Sequence, residues 1–197
     1  MYRNTIEDRA RLLVNKVMTD KKVQVLMDKM RTFDSTLFIH SINVAFLTAH
    51  ECYILGYGKR DRYIYVVAAL LHDIGKIKID IQLLNKKEPL GKEEFETLKK
   101  HPVYSGEVLQ EAGFGKEIID IAVHHHEKPD GSGYPDGLSD KEIPMGSKML
   151  AAIDAYDAMT SRRPYGSQKN KTQAITTLQY ENNYYDKYIE SLKNIDL

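Results

Sequence analysis

The chain has 197 residues, which is enough for one domain with its own hydrophobic core and short for two. It carries 28 basic and 28 acidic residues, and the resulting net charge of zero excludes a general attraction to duplex nucleic acid or to a membrane surface. Its single cysteine, Cys52, excludes an internal disulfide framework and fits a reducing compartment.

The N-terminal part of the chain predicts helices. Because the first residues lack the apolar core of a signal peptide, we expect a cytoplasmic protein. From Asp8 to Met30, apolar residues such as Leu12 recur at helical spacing and indicate one or two amphipathic helices. Phe33 to Leu55 is predicted to be a long helix that carries His40, with Ile39 among its core residues.

The middle of the chain continues the helical pattern. A helix is predicted from Arg62 to Asp73, and Gly75 ends it. Asp80 to Leu84 predicts one short helical turn. Gly91 to Tyr104 predicts a further helix, in which Pro102 either introduces a kink or begins a new helix.

The last part of the chain predicts four helices and one loop. The helices are Glu117 to His126, Met145 to Thr160, Thr172 to Asn182 and Tyr185 to Lys193, and the loop is Lys128 to Pro144. The sequence has no convincing β-hairpin or βαβ signal. We therefore predict an all-α fold, a single compact helical domain formed by residues 35–197, with residues 1–34 as an N-terminal helical segment packed on it.

Histidine and aspartate residues recur in a pattern that indicates a metal site. In chain order they are His40, the pair His72-Asp73, His101, the run His124-His125-His126, and Asp154. Imidazole and carboxylate groups together suit first-row transition metals. On a helix, His72 and Asp73 point about 100° apart, so they serve one metal from two sides only near a helix end. Any one of these residues alone is more often an ordinary surface or core residue, and only their company supports the prediction.

Two short motifs make the pattern specific. The segment Leu70 to Ile77 contains HDIGK, and His125-His126-Glu127 precedes the turn Asp130-Gly131-Ser132-Gly133-Tyr134-Pro135. These segments resemble the HD-GYP subfamily of the HD metal-dependent phosphohydrolases, whose members typically hydrolyse the bacterial second messenger cyclic di-GMP. Asp154 to Thr160 and Arg163-Pro164-Tyr165 fit the same pattern. The resemblance implies a helical domain with a metal site in the helix bundle.

The resemblance also implies a ligand set for two divalent cations, most often iron or manganese in this family. The ligands fall on His40, His72, Asp73, His101, His125, His126 and Asp154. Asp73 is predicted to bridge the two cations and to be catalytic. A pair of such cations lowers the pKa of a water molecule between them from about 15.7 toward 7, which provides hydroxide for phosphodiester hydrolysis. His124 is predicted to be a neighbour of the ligands and not a ligand.

Further residues are predicted to contact the substrate or to support a ligand. By resemblance, Lys76 is catalytic and binds a substrate phosphate, while Arg163 and Tyr134 bind the substrate. Asp157 lies three residues after Asp154, on the same helix face, and is predicted to orient a metal ligand.

The sequence departs from the family pattern at several positions. Thr36 stands where some members carry a glutamate for a third metal, so we predict two metals and not three. Asn43 replaces an arginine, Gly166 replaces a basic residue and Pro129 stands where a tryptophan is common. The metal ligands are intact, whereas the set of cations around the substrate is reduced.

The sequence is compatible with three functions. The first is a phosphodiesterase that converts cyclic di-GMP to linear pGpG, with GMP as an optional further product. The second is an HD phosphohydrolase for another cyclic dinucleotide or a nucleotide, and the third is a module that binds a cyclic dinucleotide or a partner without turnover. No duplex nucleic acid and no membrane is expected as a partner. A homodimer and a GGDEF-type or sensory partner protein are compatible with each function.

Overall fold

A computed structural model of the protein describes residues 5–161, 168–181, 183–193 and 195. Over these residues the regular structure is helical, and one isolated β-bridge joins Asp130 to Ser139. The helices are α1 Ile6–Met18, α2 Lys21–Phe33, α3 Ser35–Ile54, α4 Lys59–Leu71, a 3₁₀ helix Ile74–Lys78, α5 Ile81–Leu84, α6 Lys92–Leu98, α7 His101–Glu111, α8 Lys116–Val123, α9 Met145–Thr160, α10 Lys171–Glu181 and α11 Asp186–Leu192. The predicted all-α class is confirmed.

The first two helices are separated by a capping residue. The Asp20 carboxylate accepts a hydrogen bond from the backbone N–H of Lys22 at 2.9 Å and so begins α2. At the start of α1, Thr5 and Asp8 accept from each other's backbone N–H groups in a capping box. The segment predicted as one or two amphipathic helices therefore forms two.

Helix α3 is the central element of the fold. Its N-terminus is fixed by the Asp34 carboxylate, which accepts from the N–H groups of Thr36 at 2.6 Å and Leu37 at 2.9 Å. The helix packs against α1, α2, α4 and α9, and side chains such as Val44 and Leu47 enter one continuous apolar core. Since α1 and α2 contribute to that same core, the N-terminal segment lies on the rest of the molecule. The boundary at residue 34 stays a prediction.

Ile39, which was expected in the core, and Leu12, which belongs to the apolar pattern of the first helix, both lie on the surface. Leu12 is 67% exposed and Ile39 is 56% exposed. Helix α1 buries Ala10, Val14 and Val17, which recur at helical spacing and define a face that does not include Leu12. Among the described helices, none is both long and apolar enough to cross a membrane.

The segment predicted as one helix from Gly91 to Tyr104 contains two helices in the structure, so the predicted bounds are wrong. Helix α6 ends at Leu98, and α7 begins at His101 and continues to Glu111. Pro102 lies in the first turn of α7, where its missing N–H costs no intrahelical hydrogen bond. Pro102 therefore begins a new helix, and this start places His101 at the N-terminus of α7.

Candidate metal centre

The seven predicted ligands come from separate elements that meet at one point. Helix α3 provides His40, the end of α4 provides His72 and Asp73, and the start of α7 provides His101. The turn after α8 provides His125 and His126, and α9 provides Asp154. The structure brings all seven together. The predicted helix end near His72-Asp73 is present, but α4 ends at Leu71, before the pair and not after Asp73.

Asp73 lies between two sets of histidines and turns one carboxylate oxygen toward each. Its Oδ1 is 3.1 Å from His101 Nε2 and 4.0 Å from His125 Nε2. Its Oδ2 is 3.4 Å from His72 Nε2 and 3.7 Å from His40 Nε2. Because only 1% of this side chain is exposed, the carboxylate is enclosed by the groups that it faces.

We call the two groups the first set (His40, His72 and Asp154) and the second set (His101, His125 and His126). In the first set, Asp154 Oδ1 is 3.0 Å from His40 Nε2 and 3.7 Å from His72 Nε2. In the second set, His101 Nε2 is 3.4 Å from His125 Nε2 and 3.2 Å from His126 Nε2. The candidate ligand atoms of the second set lie within 4.8 Å of one another. Each set is thus compact enough to hold one cation.

Backbone contacts fix the orientation of the histidine rings. The Nδ1 atoms of His72, His101 and His125 each donate to the carbonyl oxygen three residues earlier, at 2.8, 2.8 and 2.5 Å. Since a carbonyl only accepts, each Nδ1 donates its proton to the backbone, and each Nε2 is directed into the site. His40 Nδ1 lies 2.6 Å from Asp157 Oδ2 and donates to it, as the predicted orienting role of Asp157 requires.

The nitrogen and oxygen atoms that face into the site are arranged to bind divalent cations and not to hydrogen-bond with one another. When His101 and His125 are neutral, two lone pairs face each other at 3.4 Å. His72 Nε2 and Asp73 Oδ1 are buried and have no hydrogen-bond partner among the described residues. A buried polar atom without a partner costs about 1–3 kcal/mol, and a cation bound between these atoms removes that cost. Nitrogen and oxygen donors in this combination suit first-row transition metals.

The carboxylates of the site are held in the ionised form. Burial by itself raises the pKa of Asp73, but the nearby Lys76 and His72 outweigh it and hold this pKa well below its usual range. Burial likewise raises the pKa of Asp154, but the nearby His40 and His72 outweigh burial and hold this pKa well below its usual range. Both side chains are therefore anionic acceptors at neutral pH.

The histidines divide into neutral and charged members. Burial lowers the pKa of His126 to about 3 and holds the pKa of His125 well below its usual range. Both rings are neutral at pH 7, which is the form that binds a metal. Burial also lowers the pKa of His72, but the carboxylates of Asp73 and Asp154 outweigh it and raise this pKa to about 10. In the cation-free protein, His72 thus supplies the positive charge that a bound cation would replace.

The 3₁₀ helix after Asp73 places an ammonium group at the edge of the site. Lys76 Nζ is 2.5 Å from Asp73 Oδ2, and 23% of the lysine side chain is exposed. The helix can approach α7 because residue 75 is glycine, since an added Cβ would lie 2.1 Å from His101 O and 2.3 Å from Ser105 N. Ser105 Oγ donates to His72 O at 2.6 Å and accepts from Gly75 N at 2.9 Å. Sequence reasoning missed Ser105.

The loop that contains Tyr134 is held against the second set by a buried carboxylate. Glu127, which is 3% exposed, accepts three backbone N–H groups of the loop at 2.7, 3.0 and 3.0 Å, from Asp136, Gly137 and Leu138. An added Cβ at Gly133 would lie 2.4 Å from Glu127 Cα, so only glycine permits this approach. The Tyr134 ring then contacts the His126 ring, with centroids 4.8 Å apart. Glu127 belongs to the His125-His126-Glu127 segment, but its position in the sequence gave no signal for this contact.

The remaining predicted residues take different positions. Both ring nitrogens of His124 are engaged outside the two sets, at 2.7 Å from Asp120 O and 3.0 Å from Asp136 Oδ2. Asn43 Nδ2 donates to Ser161 Oγ at 3.3 Å, and Ser161 Oγ donates to Asp157 Oδ1 at 2.7 Å. Asn43 thereby joins a hydrogen-bond chain that leads to His40.

The predicted substrate residue Arg163 and the departure at Gly166 lie outside the described residues.

Comparison with known protein families and sequences gives a consistent result. The family profile described as "HD domain" matches residues 12–189. A cyclic di-GMP phosphodiesterase of Thermotoga maritima is 43% identical over 117 residues, which cover 57% of this chain and 31% of that protein. The 3'3'-cGAMP-specific phosphodiesterase 1 of Vibrio cholerae is 32% identical over 145 residues, which cover 73% of this chain and 33% of that protein. The chain thus spans about a third of the length of these relatives.

A solved structure has the same fold. Bd1817, an HDG"Y"P protein from Bdellovibrio bacteriovorus, superposes with a TM-score of 0.71 at 19% sequence identity. The match covers 98% of this chain and 73% of the Bd1817 chain. At this level of identity the comparison establishes the helical architecture.

Proposed function

This chain belongs to the HD domain family, and on that premise we propose that it is a metal-dependent phosphodiesterase that hydrolyses cyclic di-GMP to linear pGpG. The observation that carries the proposal is the position of Asp73, whose two oxygens face two separate sets of histidines. Similarity to the Thermotoga maritima phosphodiesterase supports the choice of substrate.

The two sets would hold two divalent cations, iron or manganese, with Asp73 shared between them. The first set would hold one cation together with Asp73 Oδ2, and the second set would hold the other together with Asp73 Oδ1. When bound, such cations lower the pKa of a water molecule toward neutrality and neutralise charge on the phosphate.

The chain's own residues then position the substrate. The Lys76 ammonium, beside Asp73 and partly exposed, is placed to donate a charge-assisted hydrogen bond to a non-bridging phosphate oxygen. Burial and the charges of Asp154 and Asp73 raise the pKa of Tyr134, so its hydroxyl stays protonated and available as a donor. Arg163 is proposed as a second phosphate-binding cation on the basis of the sequence motif.

The proposed reaction breaks one phosphodiester bond of the cyclic substrate. A water oxygen forms a new bond to phosphorus, and the bond from phosphorus to the ribose 3' oxygen breaks. The leaving oxygen takes up a proton, so the product is a linear dinucleotide with a 5' phosphate. Subsequent hydrolysis to GMP would use the same groups on the remaining diester.

A second candidate substrate is another cyclic dinucleotide. The Vibrio cholerae relative is named for 3'3'-cGAMP, and its alignment covers more of this chain than the Thermotoga maritima alignment does. Asn43 replaces an arginine of the family pattern and hydrogen-bonds to Ser161. Because its amide is neutral, it adds no positive charge near the substrate. These observations make 3'3'-cGAMP the alternative substrate to test beside cyclic di-GMP.

The proposal is tested by incubating protein loaded with iron or manganese with cyclic di-GMP and, separately, with 3'3'-cGAMP. Chromatography of the products should show linear pGpG from cyclic di-GMP, and chelator-treated protein should show none. Faster turnover of 3'3'-cGAMP would favour the second candidate. Binding of cyclic di-GMP without any product, with either metal, would contradict the enzymatic proposal and favour a binding module.

We further propose a cytoplasmic site of action, which fits the single cysteine. The homodimer and the GGDEF-type or sensory partner stay predictions. Because the chain spans about a third of its relatives, the activity of the whole protein, its substrates and its partners are all part of the proposal.

A further inference from the structure

A groove of about 310 Å³ lies next to the candidate metal centre and is lined mainly by residues that the metal centre does not use. We propose that this groove binds one purine base of the cyclic dinucleotide. The inference rests on the proposed function and adds to it a site for the base. It also assigns Asn85 as a residue that contacts the polar edge of that base.

The groove reaches residues next to the candidate metal centre. His40 and Lys76 form part of its lining, and both contact Asp73 Oδ2, at 3.7 and 2.5 Å. A phosphate held at Lys76 therefore lies next to the groove. Since a single ribose links a phosphate to its base, a base attached to that phosphate reaches the groove directly.

The walls of the groove suit a flat aromatic ring. Leu37 of α3 is buried, and Leu83 and Leu84 of α5, Leu90 of the following loop and Leu98 of α6 are partly buried around the same space. Apolar walls favour the removal of ring faces from water, and ligand sites are generally apolar with few polar groups. These leucines have no role in metal binding, so the metal centre alone does not account for the groove.

One polar group at the groove matches the edge of a purine. The Asn85 side chain is exposed at the end of α5 and has no hydrogen-bond partner among the described residues. An amide offers both a donor and an acceptor, which is the combination that a purine edge requires. Asn85 is therefore free to make this contact without the loss of an existing one.

The outer wall of the groove is held in place before any ligand binds. Lys86 Nζ lies 2.6 and 2.7 Å from the two carboxylate oxygens of Glu94, and Gly91 N donates to Glu94 Oε2 at 2.7 Å. These contacts attach the loop after α5 to the start of α6. A preformed wall reduces the entropy that is lost on binding.

The size of the groove limits what it holds. Sites for small ligands occupy roughly 300–1,000 Å³, so a cavity of about 310 Å³ is at the lower end of that range. This volume suits one nucleoside, so the rest of a cyclic dinucleotide would extend beyond the groove. The second base must then lie outside the groove, which predicts that one base of the substrate is selected more strictly than the other.

The test compares Asn85→Trp, which fills the groove, with the matched control Gln82→Trp. Gln82 is also exposed on α5 but does not line the groove. The probe is cyclic di-GMP with phosphorothioate linkages, titrated into protein purified without chelator. We expect Asn85→Trp to raise Kd at least tenfold and Gln82→Trp to change it less than twofold. In parallel, the wild-type protein is assayed with methyl 4-nitrophenyl phosphate, a diester without a base.

Each outcome separates the base site from the proposed function. Equal Kd values for Asn85→Trp and wild type would overturn the base site. Wild-type hydrolysis of cyclic di-GMP or of methyl 4-nitrophenyl phosphate would leave the proposed function intact. Weaker binding by Asn85→Trp would support the base site. If the wild type then hydrolysed neither cyclic di-GMP nor methyl 4-nitrophenyl phosphate, the enzymatic function would be contradicted. A wild-type protein that binds no cyclic di-GMP analogue would overturn the base site.

Discussion

Helix α3 buries ionisable side chains in two regions whose surroundings differ. Near its N-terminus, His40 contacts Asp154 at 3.0 Å and Asp157 at 2.6 Å, within a cluster of charges contributed by several elements. Near its C-terminus, Glu51 is fully buried and has one hydroxyl partner, Ser191. Its Oε1 has no hydrogen-bond partner among the described residues.

The difference shows when buried charge is useful to a protein. In the metal centre, opposite charges and fixed rings compensate one another, and the remaining unpaired atoms are those that a cation would bind. At Glu51, burial dominates over the Ser191 hydrogen bond and raises the pKa to about 7. Removal of a charge should therefore abolish function in the first region and increase stability in the second.

The largest effect is expected for Asp73→Asn. An amide is neutral and presents only one oxygen, so it cannot bridge two cations as the carboxylate does. Cations contribute several kcal/mol to transition-state stabilisation, so turnover of cyclic di-GMP should fall on the order of a thousandfold. Steady-state kinetics with equal protein concentrations measures this fall.

A matched control is Asp28→Asn, which neutralises a surface carboxylate paired with Arg31. This control should keep wild-type turnover. Equal turnover by Asp73→Asn and Asp28→Asn would show that Asp73 does not act at the reacting centre.

The next largest effect is a change in stability for Glu51→Gln. The pKa of Glu51 is about 7 in the folded protein and 4.5 in an ordinary environment, so the folded state keeps the proton longer. The wild type should therefore lose stability as pH rises from about 4.5 to 7 and lose no more from this group above that range. At about 1.4 kcal/mol per pKa unit, the loss relative to Glu51→Gln is roughly 3–4 kcal/mol.

Urea unfolding of both proteins at pH 4.5 and pH 8 measures this difference. Turnover by Glu51→Gln should match the wild type, because Glu51 is not in the metal centre. Parallel pH dependence of the two unfolding free energies would show that Glu51 ionises in the folded protein as readily as in water.

Asp157→Ala should weaken metal binding without removing a ligand. His40 Nδ1 would lose its acceptor, so the ring would no longer be held with Nε2 toward the first set. Groups that orient a ligand in this way typically contribute about 10–100-fold in metal affinity. Competition with a chromophoric chelator measures the affinity. Ser161→Ala, which keeps the carboxylate and removes only its hydroxyl donor, should cause a smaller loss, and an equal loss in both variants would contradict this assignment.

The smallest effect is expected for Ser191→Ala. The Ser191 hydroxyl donates to Glu51 and lowers its pKa, so its removal should raise that pKa above about 7. The fall in stability should then extend to higher pH and leave the variant about 1 kcal/mol less stable than the wild type at pH 8. A loss that is the same at pH 4.5 and pH 8 would indicate a packing effect and not an effect on ionisation.

Much of the fold and site was predictable from local patterns. Helical periodicity and capping residues gave the all-α class. The order of histidines and aspartates, together with the family resemblance, indicated all seven residues that the structure brings together. Gly75 indicated a helix end close to His72-Asp73, but α4 ends at Leu71, before the pair, and Gly75 lies within the following 3₁₀ helix.

The parts that were missed depend on contacts between distant elements. Ser105 joins α7 to the segment after α4, and Glu127 holds a loop about ten residues away, so neither role has a signature in spacing. Leu12 fits the helical period as well as its buried neighbours, and only the packing of α1 determines which face is covered. Likewise, Asn43 reaches Ser161 across 118 residues of sequence.

The most direct test is the number of metal ions bound per chain. Protein purified without chelator is analysed by inductively coupled plasma mass spectrometry and compared with Asp73→Asn. If Asp73 is shared by two cations, the wild type should carry two iron or manganese ions per chain and the variant clearly fewer. A wild type with at most one ion per chain, or a variant that keeps two, would contradict the shared centre.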